Sequence, residues 1–213
     1  RDLHSFPTRR SSDLNAGEPR LTGQAPLSPV QTGIWVTEQL RSGDDPIYTL
    51  WVRHDHPEPL GAGELANALT VIARRHVPLR TVMVEETSGV RQVVQHPVEI
   101  PLEVVSAAQG ELAEVIGRFL ARPFDLHGGL LWRALLIQVN GSGSTVVCAA
   151  HHLIFDDASR EILLGELRTL LAGGAAGDLP ELPVDYLDYS HWQLERFGQD
   201  SVQIGRASCR ERV

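Results

Sequence analysis

The chain is 213 residues long and carries 27 acidic against 19 basic residues, a formal net charge of −8, which lacks the basic face that nucleic acid or an anionic membrane surface demands. No run approaches the ~18 apolar residues of a membrane span, no secretory signal pattern stands out, and two cysteines supply neither a disulfide framework nor zinc spacing. A cytoplasmic protein with no nucleic-acid and no membrane partner is expected, and a chain of this size can bury a substantial core as one domain.

The two ends match no structural pattern but are related through DNA. His4 to Asp13 can be back-translated as CAC TCT TTC CCT ACA CGA CGC TCT TCC GAT. Its reverse complement, ATC GGA AGA GCG TCG TGT AGG GAA AGA GTG, encodes Ile204 to Val213 residue for residue. The segment resembles a common sequencing adapter, so residues 1–14 and 204–213 are read as non-native and set aside, as a cloning scar would be. The native part is then 15–203, expected to be a fragment at both ends. Without the two segments 13 arginines face 24 acids, a formal charge of −11.

Within 15–203 the first helix signal is Ser28-Pro29-Val30-Gln31: Ser at the N-cap, Pro at the first helical position and Gln where a capping box needs it. Ile34, Trp35 and Leu40 supply its apolar side. Ile47–Val52 reads as a strand. Glu64–His76 carries Leu65, Leu69 and Ile72 at helical spacing, and Arg74 and Arg75 at its end suit the helix dipole and need no docking role. Leu79–Glu85 and Val90–Gln95 read as strands joined by a turn over Glu86-Thr87-Ser88-Gly89, with a further strand at Leu102–Val105. Gln109–Ala121 reads as a helix with Leu112, Val115, Ile116, Phe119 and Leu120 facing inward. Leu130–Val139 and Ser144–Ala150 form a hairpin across Asn140-Gly141-Ser142-Gly143, and Cys148 within it reads as a small core residue. Ala158–Leu171 is a helix with Leu163, Leu167, Leu170 and Leu171 on one stripe, and Gly173–Pro183 is a connecting loop. This order predicts an α/β fold with a mixed sheet flanked by helices.

The most informative stretch is His151-His152-Leu153-Ile154-Phe155-Asp156, which sets two imidazoles and a carboxylate at the end of a buried apolar strand. Successive strand side chains face opposite ways, so one imidazole can look into a cleft while its neighbour anchors in the fold. Acyl transfer suits this arrangement, because an imidazole with a pKa of about 6.5 can take a proton or stabilise developing charge. The same divergence argues against a shared metal, and no third ligand stands at a familiar spacing. His54, His56, His96, His127 and His191 are scattered and read as surface or hydrogen-bonding residues, while Trp35, Trp132 and Trp192 read as packing residues.

Five motifs recur in a recognisable order: Pro26-Leu27-Ser28-Pro29-Val30-Gln31 with Trp35, Arg75-His76-Val77-Pro78-Leu79-Arg80-Thr81, Arg122-Pro123-Phe124-Asp125, His151-His152 with Asp156, and Tyr186-Leu187-Asp188-Tyr189 with Trp192-Gln193. Together they resemble the condensation domains of nonribosomal peptide synthetases. The resemblance runs over Leu21 to Arg196 and covers the N-terminal half of such a domain. It implies the N-terminal lobe of a chloramphenicol-acetyltransferase-like two-lobe fold, with the active site in the tunnel between lobes and the C-terminal lobe absent. It also implies an acyltransferase that forms an amide between two carrier-bound thioesters. No cofactor is bound directly, because phosphopantetheine arms carry the substrates. The implied partners are upstream and downstream carrier domains, an adjacent adenylation domain and the missing lobe.

By the same resemblance His152 is the catalytic residue, as general base or as electrostatic positioner, and His151 has a supporting part. Asp156 is implied to be structural, paired with Arg80, since a buried carboxylate needs such a partner. One departure stands out: the family commonly has Gly after the aspartate, where this chain has Asp157. Asp157 is a good N-cap for the following helix, which gives it a structural role. Two other readings stay open. One is a related paired-histidine acyltransferase acting on an alcohol or coenzyme A-linked substrate, beside relatives that epimerise; the other is a condensation-like module that only docks partners.

Overall fold

The computed structural model describes residues 23–41, 45–87, 89–96, 100–182 and 184–196. The segments 1–14 and 204–213 assigned to adapter lie outside them, as do the limits at Asn15 and Gln203. Helix α1 (Pro29–Leu40) starts where its sequence dictates: Ser28 Oγ accepts from the Gln31 amide at 3.2 Å and Gln31 Oε1 accepts from the Ser28 amide at 2.9 Å, a complete capping box with Pro29 at the first position. Trp35 is buried, but Leu40 is 79 % exposed, so the apolar side of α1 is shorter than expected.

Strands β2 (Thr49–His56), β5 (Leu102–Ala107), β6 (Trp132–Val139) and β7 (Ser144–His151) form a four-stranded sheet in the order β2-β7-β6-β5. Its β2, β7 and β6 pairings are antiparallel and β5 runs parallel to β6, so the sheet is mixed as expected. Every residue of β7 is buried, because helices cover both faces. Ala134, Leu136, Val146, Cys148 and Ala150 share one core with helices α2 (Ala62–Arg75) and α4 (Asp157–Leu171). The alternate positions Leu135, Ile137, Val147 and Ala149 share a second core with helix α3 (Leu112–Leu120). The period of two along the strands thus sorts side chains into two layers. The β6–β7 turn needs glycine twice: Gly141 has φ +73°, and a Cβ on Gly143 would collide with the His56 carbonyl oxygen.

Beside this mixed sheet the described residues form a second one, which the sequence did not single out. Strands β1 (Gln24–Pro26), β3 (Thr81–Glu86) and β4 (Gly89–Val94) make a separate antiparallel sheet in the order β1-β4-β3. Expected strand limits shift with it: Leu79 lies in a short 3₁₀ turn, Val77–Arg80, and Ile47 precedes β2 and is exposed. The helix expected from Gln109 starts with a 3₁₀ turn, Gln109–Glu111, before α3. Residues 186–196 are helical, here α5, where the sequence carried a motif but no assigned element. Among the described residues of the loop after α4 there is a short 3₁₀ turn, Ala176–Asp178.

Candidate active site

Strand β7 delivers the histidines. His151 is its last residue, opposite Thr49 of β2, and the chain leaves the sheet through a turn over 152–154. The His151 amide donates to the Leu131 carbonyl and the His152 amide to the Tyr48 carbonyl, each at 2.8 Å. Both rings stand beside Tyr48, with centroids at 5.9 Å for His151 and 6.3 Å for His152. His151 is 5 % exposed, whereas His152 is exposed.

His151 Nδ1 accepts from the Leu153 amide at 3.1 Å, so Nε2 carries the ring proton. Phe124 stands edge-on at 6.1 Å and Tyr48 tilts against the ring at 5.9 Å. Burial, and then the neighbouring His152, push the His151 pKa down to about 4, so this imidazole is neutral near pH 7. Glu38 Oε1 lies 3.8 Å from Nε2, yet the pair is not ionic, because the imidazole is neutral; the same oxygen is bound to Arg41 at 3.0 Å. Glu38, Arg41, Tyr48, Phe124 and His151 line a cavity of about 220 Å³.

His152 is held differently. Its Nδ1 lies 2.7 Å from the carbonyl oxygen of Phe155. A carbonyl oxygen only accepts, so Nδ1 carries a proton, and in the neutral ring Nε2 then keeps its lone pair on an exposed side chain. Leu153, Ile154 and Phe155 are buried in the larger core and anchor the carbonyl that sets this tautomer. The arrangement leaves a nitrogen base facing outward from a rigid support.

Asp156 supports the turn as the N-cap of α4: its Oδ1 accepts from the Ser159 amide at 2.8 Å and from the Ser159 hydroxyl at 2.7 Å. Two expectations change here. The cap is Asp156, and Asp157 is the first helical residue, 3.1 Å from Arg160, where its charge still favours the helix N-terminus. Nor does Asp156 pair with Arg80. Arg80 Nε donates to the Ala73 carbonyl at 2.9 Å and Nη2 to the Arg74 carbonyl at 3.4 Å, with His96 Nε2 at 3.3 Å from Nη1. The guanidinium satisfies the end of α2 instead, where orphan carbonyls need donors. Burial lowers its pKa, and the acid that opposes this is Asp185.

Charge pairing between the helices runs through residues the sequence did not single out. Glu166 of α4 is buried and accepts from Arg75 Nε at 2.8 Å, with His76 Nε2 at 2.7 Å from its other oxygen. Arg75 therefore ties α2 to α4 within the fold. A carboxylate on the α4 stripe between Leu163 and Leu167 was the available signal. Gln31 and Gln92 were also missed: Gln31 Nε2 reaches the Leu153 carbonyl oxygen at 2.9 Å and Gln92 Oε1 at 2.9 Å. Of the Arg122–Asp125 motif, Pro123 and Phe124 line the cavity beside His151. Arg133 lies 4.1 Å over the Phe124 ring and donates to the carbonyls of Phe119 and Arg122, while burial brings its pKa down to about 10. His56 bonds the Glu58 carbonyl at 3.0 Å and His127 lies 3.0 Å from Glu85, in keeping with hydrogen-bonding histidines. Trp35 and Trp132 are buried.

A family model described as Condensation domain matches residues 22–207, a span that ends within the segment 204–213. Phosphinothricin tripeptide synthetase PhsC of Streptomyces viridochromogenes is 30 % identical over 201 residues, 90 % of this chain. Cyclosporin synthetase simA of Tolypocladium inflatum is 32 % identical over 183 residues, 82 % of this chain. The chain spans 18 % and 1 % of the length of these two curated relatives. Among solved structures, the X-domain in complex with OxyB from teicoplanin biosynthesis superposes with a TM-score of 0.75 at 23 % identity, covering 87 % of this chain and 40 % of that one. A structure describing condensation domain-mediated chain release from the enacyloxin polyketide synthase superposes with a TM-score of 0.68 at 28 % identity, covering 82 % of this chain and 35 % of that one. The mixed sheet flanked by helices is of the chloramphenicol-acetyltransferase-like class.

Proposed function

The chain belongs to the condensation-domain family, and on that premise we propose that it supplies the N-terminal lobe of a domain that joins two carrier-bound acyl groups as an amide. The acceptor's α-amine attacks the donor thioester carbonyl; the C–N bond forms, the C–S bond breaks, and the thiol leaves with a proton. An α-amine has a reference pKa of about 8, so a useful fraction is already neutral and no strong base is required. The step needs a place for the proton of the attacking nitrogen.

His152 is that place in this reading. The single observation that carries it is the 2.7 Å contact of Nδ1 with the Phe155 carbonyl, which commits the ring proton inward and leaves Nε2 free outward. His151, buried and neutral, fixes the strand end and takes no proton. Asp156 supports the turn through the α4 cap, and Arg80 supports it at one remove, through the end of α2. The substrates arrive on phosphopantetheine arms of upstream and downstream carrier domains, beside an adenylation domain, with no cofactor bound by this lobe. A C-terminal lobe closes the tunnel over His152. Among the described residues no helix is long and apolar enough to cross a membrane.

A second reading is acyl transfer to an acceptor other than a carrier-bound amine, which releases the chain. The 28 % identity to the enacyloxin chain-release domain favours it. The X-domain likeness at 23 % identity speaks to the fold alone. Amide formation by the synthetase containing this lobe, assayed with separately loaded donor and acceptor carriers, decides between them. Product on the acceptor carrier supports condensation. Donor consumption only when a free alcohol or thiol is supplied contradicts it and supports release.

A further inference from the structure

A buried chain of side-chain amides runs from α5 to the histidine turn. Gln31 on α1 is 2 % exposed, and its Nε2 uses both hydrogens, on Gln92 Oε1 and on the Leu153 carbonyl oxygen, each at 2.9 Å. Gln92 on β4 donates through Nε2 to the Pro26 carbonyl at 3.0 Å and to Ser190 Oγ at 3.1 Å. Ser190, fully buried on α5, donates its hydroxyl to the Tyr186 carbonyl at 3.0 Å.

The partners fix each amide's orientation. The Pro26 carbonyl only accepts, so Gln92 must turn its nitrogen there and its oxygen to Gln31. Gln31 must then present nitrogen to Gln92, and the second hydrogen of that nitrogen falls on the Leu153 carbonyl. A flip of either amide would set oxygen against oxygen in a site closed to water, where unpaired polar groups are expensive. The capping box does not require this. It uses only Gln31 Oε1, which accepts from the Ser28 amide, and the nitrogen is spare for the turn.

Leu153 follows His152 and precedes Phe155, whose carbonyl oxygen holds the His152 Nδ1 proton. We propose that Gln31, oriented by Gln92 and Ser190, is a positioning residue for His152. By clamping the Leu153 carbonyl it fixes the path of the turn, keeps the Phe155 oxygen under Nδ1 and so leaves Nε2 as the free base. This role rests on the proton-handling part given to His152, yet its direct consequence is a tautomer, which can be read without any turnover.

The test is nitrogen-15 NMR of the histidine rings in the full chain, at a pH where histidines are neutral. The wild-type His152 ring is protonated on Nδ1. Gln31→Met keeps length and approximate volume but removes both donors together with the capping oxygen, and His152 loses the Nδ1-protonated form in favour of the Nε2-protonated form that a free histidine side chain prefers. His56, bonded to the Glu58 carbonyl at the other end of β2, keeps its ring signals as the control for folding. Gln92→Met removes the orienting partner together with its bonds to the Pro26 carbonyl and Ser190 but leaves the Gln31 cap in place, and it serves where Gln31→Met does not fold; it produces the same loss in smaller measure. A His152 ring that stays protonated on Nδ1 in folded Gln31→Met, or in Gln92→Met where the first variant does not fold, overturns the proposal. Loss of the tautomer upholds the positioning role whatever happens to turnover; if amide formation then continues unchanged, the part given to His152 is what fails.

Discussion

Glu166 of α4 accepts from Arg75 at the end of α2 at 2.8 Å, so the helix that follows the histidine turn is bolted to the helix beneath it. Both side chains are largely withdrawn from water, at 7 % and 17 % exposure, and removing one partner strands the other's charge. Glu166→Ala is expected to cost about 3 kcal/mol, read as a lower urea midpoint. A variant within about 0.5 kcal/mol of wild type, the range of ordinary surface changes, would contradict the pairing.

Stability should fall with acidity because of His151. Its folded-state pKa is depressed to about 4 by burial and then by His152, while the unfolded chain titrates near 6.5. Above 6.5 the group is neutral in both states and contributes nothing. Between 6.5 and 4 the unfolded state binds more protons, so stability is lost as pH drops through this window, by about 3 kcal/mol in all. Urea unfolding at pH 7, 5 and 4 measures the slope, and His151→Gln should flatten it relative to wild type. An equal slope in the variant would assign the acid sensitivity elsewhere.

Asp156 and Arg80 act on different helices, so their substitutions should add. Asp156→Ala loses the α4 cap at a cost of about 1 kcal/mol, while Arg80→Ala unbinds the carbonyls at the end of α2. The double variant is expected to equal the sum of the two within about 0.5 kcal/mol. A coupling of several kcal/mol would restore the ion pair that the resemblance implied.

That pair shows where reading the sequence stopped. Local signals were legible: the Ser28-Pro29-Gln31 cap, the Leu65, Leu69 and Ile72 stripe, and the apolar β7 that ends in His151 all reappear in the structure. These depend on neighbours within one or two turns. Contacts between distant residues were not legible. Strand β1 is only Gln24–Pro26, too short to show a period, and it exists because β4 pairs with it. Glu166 and Arg75 are 91 residues apart, and nothing local to either announces the other. Gln31 was read for its capping oxygen, while its nitrogen bonds Leu153, 122 residues away.

Cys148 is buried in β7 and its thiol is pushed up to about 12 by burial. Nucleophilic chemistry needs the thiolate. Alkylation of the native chain followed by peptide mapping should leave Cys148 unmodified, and alkylation in denaturant should modify it fully. Rapid labelling under native conditions would mean that β7 opens easily and that the histidine support is less rigid than its core suggests.

The role of His152 is tested most directly by single-turnover amide formation in the synthetase that contains this lobe, with donor and acceptor carriers loaded beforehand and His152→Ala compared with wild type. A residue that takes a proton in the transition state contributes roughly 10²- to 10⁴-fold. The account predicts a loss of that order in the bond-forming rate with carrier loading unchanged; a wild-type rate in the variant would contradict it.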